Sequence, residues 1–235
     1  MSSPGALILL SAGQDSATCL AWALGRYERV DTIGFFYGQR HAIEMNRRGP
    51  VRDAVASIRP EWGPRLGGDL VVDISGYGVL AESALTSDRV IEMASNGLPS
   101  TFVPGRNLVF LAVAAAHAYR LGIDTLVAGM CETDYSGYPD CRRDTLDAMQ
   151  TALTLGLGEA MRVETPLMYL NKAQTWALAH ELGGDALADV ILEESHTCYE
   201  GDRSHRHDWG YGCGACPACE LRARGWAQWR KDQPG

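Results

Sequence analysis

Long apolar runs and clusters of basic residues are both missing from this 235-residue chain. No stretch approaches the roughly 20 apolar residues that cross a bilayer, and the first residues lack the basic segment that opens a signal peptide. The formal net charge is −8 and the pI is near 5.2, so nothing resembles a surface for phosphate backbones. We therefore expect a cytoplasmic protein that acts on a small molecule, with no membrane and no nucleic-acid partner.

Two common phosphate-binding motifs are also absent. Neither G-x-x-x-x-G-K-[ST] nor G-x-G-x-x-G occurs anywhere in the chain, so a phosphate site of either of those kinds is excluded. Instead, the first apolar run ends in SAGQDS, residues 11–16, which carries no lysine.

Short apolar runs alternate with helix-compatible segments along most of the chain. This order predicts one α/β domain with a doubly wound, mainly parallel sheet, over residues 1–192, and a C-terminal metal-binding segment, residues 193–235, packed on it. Ligands of such sheets bind beyond the carboxyl ends of the strands. The predicted strands are residues 6–10, 31–37, 69–74 and 125–129; the predicted helices are 15–24, 41–58, 107–121, 144–157 and 172–182, with a long loop at 75–101.

The loop after the first predicted strand has the composition of an anion site. Ser11, Gly13, Asp15 and Ser16 lie between a buried strand and a helix start, where backbone N–H groups and hydroxyls can surround a phosphate. An ordinary helix start capped by serine and aspartate is the alternative. Asp15 would repel a phosphate, so we expect it to orient the loop or to meet a metal ion.

Four of the seven cysteines share a metal-like spacing, C-x14-C-x2-C-x2-C, near the C-terminus. In a reducing compartment this spacing favours a metal over disulfides. Four thiolates suit a closed tetrahedral zinc site, so we predict one structural zinc per chain, with an iron–sulfur centre as the alternative. The metal would order a tail that is poor in apolar residues. The predicted ligands are Cys198, Cys213, Cys216 and Cys219.

The remaining cysteines and the nearby histidines are expected to play lesser roles. We expect Cys19 to be a small buried hydrophobic residue in the first helix. Cys131 and Cys141 flank the loop after the fourth strand, and nothing in the sequence indicates that either is catalytic. Three histidines near the cysteines could replace a metal ligand, but we expect them to be solvated loop residues. They are His196, His205 and His207.

Several further segments, taken together in their order, resemble the 7-cyano-7-deazaguanine synthase family, known as QueC, from residue 6 to about residue 226. They are YGQRH (37–41), TFVPGRN (101–107), CETDYSGYPDCR (131–142), TPL (165–167) and NKAQTWALA (171–179). SAGQDS is similar to the SGGxDS loop of N-type ATP pyrophosphatases, which release pyrophosphate and transfer AMP to an acceptor oxygen.

The resemblance implies a function. The family converts 7-carboxy-7-deazaguanine, ammonia and ATP to the nitrile in queuosine biosynthesis, by activating first the carboxylate and then the amide, and its members are typically zinc-dependent homodimers. Mg²⁺ is expected with ATP. A paralogous ligase with another amine or protein acceptor, and a noncatalytic nucleotide-sensing zinc protein, are the alternatives.

The implied site residues fall into three groups, with two departures from the family pattern. Ala12 replaces the usual glycine, and we expect its φ to be negative; Phe36 replaces an aspartate found in many relatives. The predicted catalytic residues are Ser11, Asp15, Ser16 and Arg106. The predicted ATP-binding residues are Leu10, Ser11, Ala12, Gly13, Gln14, Asp15, Ser16, Ala17, Thr18, Cys19 and Leu20. The predicted substrate-binding residues are Gln39, Arg40, Asp134, Tyr135, Ser136, Tyr138 and Asp140.

Overall fold

The computed structural model describes residues 5–39, 43–81, 83–87, 98–133 and 137–233. Its strands are β1 (Gly5–Leu9), β2 (Arg29–Phe36), β3 (Leu66–Asp73), β4 (Thr125–Val127) and β5 (Arg162–Glu164). These five strands form one sheet in the order β3-β2-β1-β4-β5, and every pair is parallel. The predicted α/β fold with a parallel sheet is confirmed.

Seven α-helices and one small hairpin complete the described chain. No helix in these ranges is both long enough and apolar enough to cross a membrane. The helices are α1 (Gln14–Leu24), α2 (Ile43–Ser57), α3 (Ser75–Leu80), α4 (Arg106–Leu121), α5 (Arg143–Leu157), α6 (Lys172–Glu194) and α7 (Pro217–Asp232), and the hairpin pairs β6 (Arg206–His207) with β7 (Gly210–Tyr211).

The sheet is buried on both faces because neighbouring residues of β1 point to opposite sides. Ala6 and Ile8 pack in a core built with α1, α2, α6 and α7, whereas Leu7 and Leu9 pack in a second core with α4 and α5. This is the period-two alternation of a strand. The helix layer therefore changes sides between β1 and β4, which makes the carboxyl end of these two strands the switch point of the sheet.

The predicted elements are present, and β5, α3, α7 and the hairpin of β6 and β7 were missed. Strand β5 has only three residues, and α3 lies inside the segment that we expected to be a loop. Helix α6 was predicted to end at residue 182; its backbone does leave helical geometry at Gly184 (φ 63°, ψ −157°), but the chain then resumes a helix up to Glu194. Helix α7 was hidden by the cysteine-rich composition that precedes it.

Helix α7 contradicts the expectation that the C-terminal segment is poor in apolar residues. Trp229 is buried in the first core and stacks on Trp176 of α6, with ring centroids 6.0 Å apart. Arg222, also buried, donates hydrogen bonds to the carbonyl oxygens of Ile191 (2.9 Å) and Trp209 (2.8 Å). The C-terminal helix is thus part of the main core.

Candidate active site

A cavity of about 660 Å³ opens at the carboxyl ends of β1, β2 and β4. This volume lies within the roughly 300–1,000 Å³ of small-molecule sites. The loop after β1, the start of α2, the start of α4 and the segment after α6 all contribute to its wall. The cavity therefore lies at the switch point, where the topology of the sheet predicts a ligand.

The loop after β1 turns its polar groups toward this cavity. The N–H of Gly13 donates to Ser11 Oγ (3.3 Å), and Ser16 Oγ donates to the carbonyl oxygen of Gly13 (3.1 Å). Gly13 is the N-cap of α1, and no side chain in the described structure caps this helix end. The backbone N–H groups of the first turn are left to a ligand, and the helix dipole favours an anion there.

Ala12 does not have the negative φ that we predicted. Its φ is +67°, and it is the only residue other than glycine with a positive φ in the described ranges. The left-handed conformation costs alanine about 1 kcal/mol, so the surrounding structure must hold it. The N–H of His196 donates to the carbonyl oxygen of Ala12 (3.0 Å) and supplies such a restraint.

Close packing brings the start of α1 against the end of β4. A Cβ atom added to Gly129 would lie 3.1 Å from Asp15 Cβ and 3.4 Å from the backbone nitrogen of Ser16. Any larger side chain at position 129 would therefore push the helix start away from the sheet.

Asp15 forms an ion pair with Lys172, whose Nζ lies 2.6 Å from Asp15 Oδ2. The motif NKAQ explains how the lysine is positioned, because Asn171 and Gln174 form a reciprocal capping box that starts α6. Lys172, in the first turn, then reaches back across 157 positions of sequence. The positive charge that the loop lacks in sequence is supplied by another helix, and sequence reasoning missed it.

A buried arginine, Arg48, holds the residue before the loop after β1. This role was not predicted from the sequence. Arg48 of α2 is 1% exposed, donates a hydrogen bond to the carbonyl oxygen of Leu10 and forms an ion pair with Asp69 of β3. The Arg48 guanidinium packs against Gly34 of β2, where an added Cβ atom would collide with it. Leu10, the last residue before the loop SAGQDS, is thereby tied to β3 at the edge of the sheet.

One part of the cavity wall is aromatic. The Arg106 guanidinium lies 5.7 Å from the centre of the Tyr37 ring, and burial raises the pKa of the Tyr37 phenol. The Tyr138 hydroxyl lies 2.6 Å from Thr101 Oγ1, and burial together with the nearby Tyr138 phenol raises the pKa of the Tyr199 phenol. Two tyrosines and one arginine therefore line the same cavity as the loop after β1.

The structure brings only some of the predicted site residues together. The predicted residues that line the cavity are Leu10, Ser11, Gly13, Gln14, Asp15, Ser16, Gln39, Arg106 and Tyr138. Ala17, Thr18, Cys19 and Leu20 are instead buried within α1, as expected for Cys19. Arg40, Asp134, Tyr135 and Ser136 lie outside the described residues.

Asp140 has a different environment from the one that its position in the loop suggests. It is buried, and its Oδ2 accepts the backbone N–H of Asn107 (3.0 Å) in the first turn of α4. It is not among the described residues that line the cavity. Its carboxylate satisfies the helix that carries Arg106 and so positions that arginine.

The four predicted metal ligands converge. Their sulfur atoms all lie within 4.8 Å of one another, and those of Cys213 and Cys219 are 3.9 Å apart. Zinc–sulfur bonds of about 2.3 Å in a tetrahedron place sulfur atoms about 3.8 Å apart, so the donor set fits a tetrahedral ion. Hydrogen bonds from the Cys216 and Cys219 thiols hold the pKa of Cys198 well below its ordinary value, which favours the thiolate.

The nearby histidines do not join this cluster. The expectation of a solvated histidine is wrong for His196, which is fully buried and borders the cavity. It is confirmed for His205, which is exposed, whereas His207 is half-buried and stacks on Trp209 with centroids 4.5 Å apart. The metal site is therefore composed of sulfur alone within the described residues.

The five-stranded parallel sheet, with helices on both faces and a cavity at its switch point, defines an α/β protein with a cavity of small-molecule size. A solved structure of a 4-thiouridine synthetase in complex with RNA and ATP is similar in fold, with a TM-score of 0.53 and 16% identity. The match covers 97% of this chain and 51% of that one.

The chain belongs to the family described as queuosine biosynthesis protein QueC, whose model matches residues 5–230. Three relatives carry the name 7-cyano-7-deazaguanine synthase. They are from Maricaulis maris (68% identity over 97% of this chain and 94% of the relative), Caulobacter vibrioides (66% over 95% and 93%) and Bordetella avium (59% over 97% and 94%).

Replacing Ala12 by glycine is expected to stabilise the protein by roughly 1 kcal/mol, because glycine adopts a positive φ without the Cβ penalty. The free energy of unfolding in urea measures this effect. The matched control, Ala17→Gly in the interior of α1, is expected to destabilise by about 1 kcal/mol or more. Equal destabilisation by both substitutions would show that the left-handed conformation of Ala12 is not strained.

Replacing Cys216 by serine is expected to abolish metal binding and to lower the free energy of unfolding of the whole chain by several kcal/mol. The effect should be global because α7 begins directly after Cys216 and buries Trp229 in the main core. Plasma mass spectrometry of the purified protein and thermal unfolding measure the two quantities. Cys141→Ser should keep its metal, and full metal occupancy in Cys216→Ser would contradict the assigned ligands.

Proposed function

We propose that this protein converts 7-carboxy-7-deazaguanine and ammonia to 7-cyano-7-deazaguanine with consumption of ATP, in the biosynthesis of queuosine. The observation that carries the proposal is the convergence of the loop after β1, Lys172 and Arg106 on one cavity. The family to which the chain belongs, and the name shared by its relatives, support the choice of substrate.

The end of the cavity at the loop after β1 suits the departing pyrophosphate. Uncapped N–H groups at the start of α1 and the hydroxyls of Ser11 and Ser16 are suitable donors, and Lys172 adds positive charge beside them. A second oxygen of Asp15, Oδ1, is buried and has no hydrogen-bond partner in the described structure. Mg²⁺ bound with ATP would give this oxygen a partner and would screen the phosphate charges.

The aromatic wall suits the heterocycle and its carboxylate. Tyr37 and Tyr138 can pack against a flat ring system, and the guanidinium of Arg106 can bind a carboxylate or the α-phosphate. Further residues are proposed to bind this substrate or to shape its site: Gln39, Arg40, Asp134, Tyr135, Ser136 and Asp140.

The reaction follows from the weakness of a carboxylate as an acyl acceptor. Transfer of AMP to the carboxylate oxygen gives an acyl adenylate, from which ammonia displaces AMP to form the amide. A second transfer to the amide oxygen lets that oxygen leave as AMP, which yields the nitrile. The protein contributes chiefly alignment and charge stabilisation.

We further propose that the four cysteines hold a structural zinc ion, since an all-sulfur site leaves no position open for water or substrate. The family resemblance also supports a homodimer that acts in the cytoplasm. Residues 193–235 are then a zinc-binding segment that packs on the α/β domain of residues 1–192.

Incubation with 7-carboxy-7-deazaguanine, ATP and ammonium tests the proposed reaction. Mass analysis should find a product lighter than the amide by one water, together with two AMP and two pyrophosphate for each nitrile. Release of ADP and phosphate would contradict the adenylation route. Pyrophosphate release at the background rate, with ATP bound, would instead favour a noncatalytic nucleotide-binding protein.

The variants Lys172→Met and Asp15→Asn are expected to lower the rate of pyrophosphate release by about 100-fold or more while the protein stays folded. Lys172→Met removes a positive charge beside the phosphates, and Asp15→Asn removes the carboxylate that pairs with Lys172 and would meet Mg²⁺. Methionine keeps the apolar stem of Lys172, which packs beside Gly225 of α7. Pyrophosphate release and thermal unfolding are measured in parallel. Wild-type rates in both variants would exclude the ion pair from the phosphate site.

A further inference from the structure

We propose that Glu44, in the first turn of α2, is the general base that takes a proton from ammonium so that ammonia can attack the activated acyl group. This inference rests on the proposed function, which requires a nitrogen nucleophile.

The nucleophile poses a chemical problem at neutral pH. Ammonium predominates over ammonia in water, and ammonium has no lone pair with which to attack carbon. A group in the cavity that attracts the cation and then accepts its proton would deliver ammonia where it is needed. Such a base works best when its pKa lies near the working pH.

Three carboxylates line the cavity within the described residues: Asp15, Glu44 and Glu220. Asp15 already forms an ion pair with Lys172 at the phosphate end. Glu220 is exposed in the first turn of α7. Glu44 is half-buried, so it combines contact with the cavity and partial shielding from water.

The surroundings of Glu44 suit proton transfer. Burial raises the pKa of Glu44 to about 7, although the positive charge of Arg106 opposes the rise. Tyr37, which follows β2, and Arg106, at the start of α4, are the charged or titratable groups that interact with Glu44 in the described structure. A carboxyl group with this pKa is ionised often enough to bind a cation, and is basic enough to accept its proton.

The same neighbours relate Glu44 to the proposed position of the acyl carbon. If Arg106 holds the carboxylate of the heterocycle, the bond to AMP forms beside that guanidinium, whose charge acts on Glu44 in the same cavity. An ammonium ion held by Glu44 is then next to the carbon that it must attack. The proposed role of Glu44 explains why an acidic side chain interacts with Arg106 in the wall of the cavity.

The step balances in atoms and charge. One N–H bond of ammonium breaks and its proton passes to the Glu44 carboxylate. The freed lone pair forms the C–N bond, and the bond between the acyl carbon and the AMP oxygen breaks with its electron pair going to AMP. The nitrogen gives a second proton to solvent, which leaves the neutral amide, and Glu44 later releases its proton to solvent.

Hydroxylamine provides the decisive test, because its conjugate acid is much stronger than ammonium and it is largely unprotonated near neutral pH. Three rates are measured for wild type and Glu44→Gln: ATP–pyrophosphate exchange with 7-carboxy-7-deazaguanine, hydroxamate formation with hydroxylamine, and amide formation with ammonium. We expect Glu44→Gln to retain exchange and hydroxamate formation within about threefold and to lose amide formation by about 100-fold or more.

Other outcomes would overturn the proposal. A parallel loss of all three rates would mean that Glu44 binds the heterocycle or supports the fold, and unchanged amide formation would exclude it as the base. Glu44→Asp serves if the glutamine variant does not fold; a selective loss of amide formation is again expected, and an equal loss of all rates contradicts the proposal.

A matched control and the wild type separate this inference from the proposed function. Glu28→Gln removes an exposed carboxylate just before β2, at the opposite end of the strand that leads to Tyr37, and should leave all three rates unchanged. If wild-type protein fails to form the amide from ammonium, the proposed function fails. Selective loss in Glu44→Gln bears only on the base.

Discussion

One hydrogen bond ties the loop after β1 to the segment that leads into the four clustered cysteines: the N–H of His196 donates to the carbonyl oxygen of Ala12. Ala12 is in a left-handed conformation that alanine does not favour, so this restraint opposes a real tendency of the loop to relax. Arg48 holds the carbonyl oxygen of Leu10 on the other side of the same turn. With both flanks held, the N–H groups of the helix start are oriented in advance, as effective charge stabilisation in the proposed phosphate site requires.

The segment that carries the four clustered cysteines is also part of the cavity wall. Cys198 lies two positions after His196, and the next residue, Tyr199, lies near Tyr138 on the aromatic wall. One short stretch of chain therefore contacts the loop after β1 and also reaches the aromatic wall. A metal ion held by the four sulfur atoms, as we propose, would leave no position for substrate, yet its ligand Cys198 would lie between these two regions. Order at the proposed metal site and order in the cavity would then be linked through the backbone.

The sequence predicts well the features that depend on local patterns of residues. Alternation of apolar runs and helical segments predicts the sheet, and the close spacing of three cysteines needs little knowledge of the fold. The missed features depend on contacts between distant segments. NKAQ is recognisable as a capping box, but the direction of Lys172 depends on how α6 packs against α1. Asp140 has the chemistry of a pocket residue, yet its carboxylate accepts the backbone N–H of Asn107 in the first turn of α4 instead.

In the cavity an acidic side chain lies near each of two cations. Lys172 forms an ion pair with Asp15, and the positive charge of Arg106 acts on Glu44. A phosphate or carboxylate bound as we propose would therefore compete with a carboxylate for each cation. Separating such a partly buried pair costs free energy, which the new contacts must offset. A net charge of −8 on the whole chain thus coexists with local cations that a small anion can reach inside the cavity.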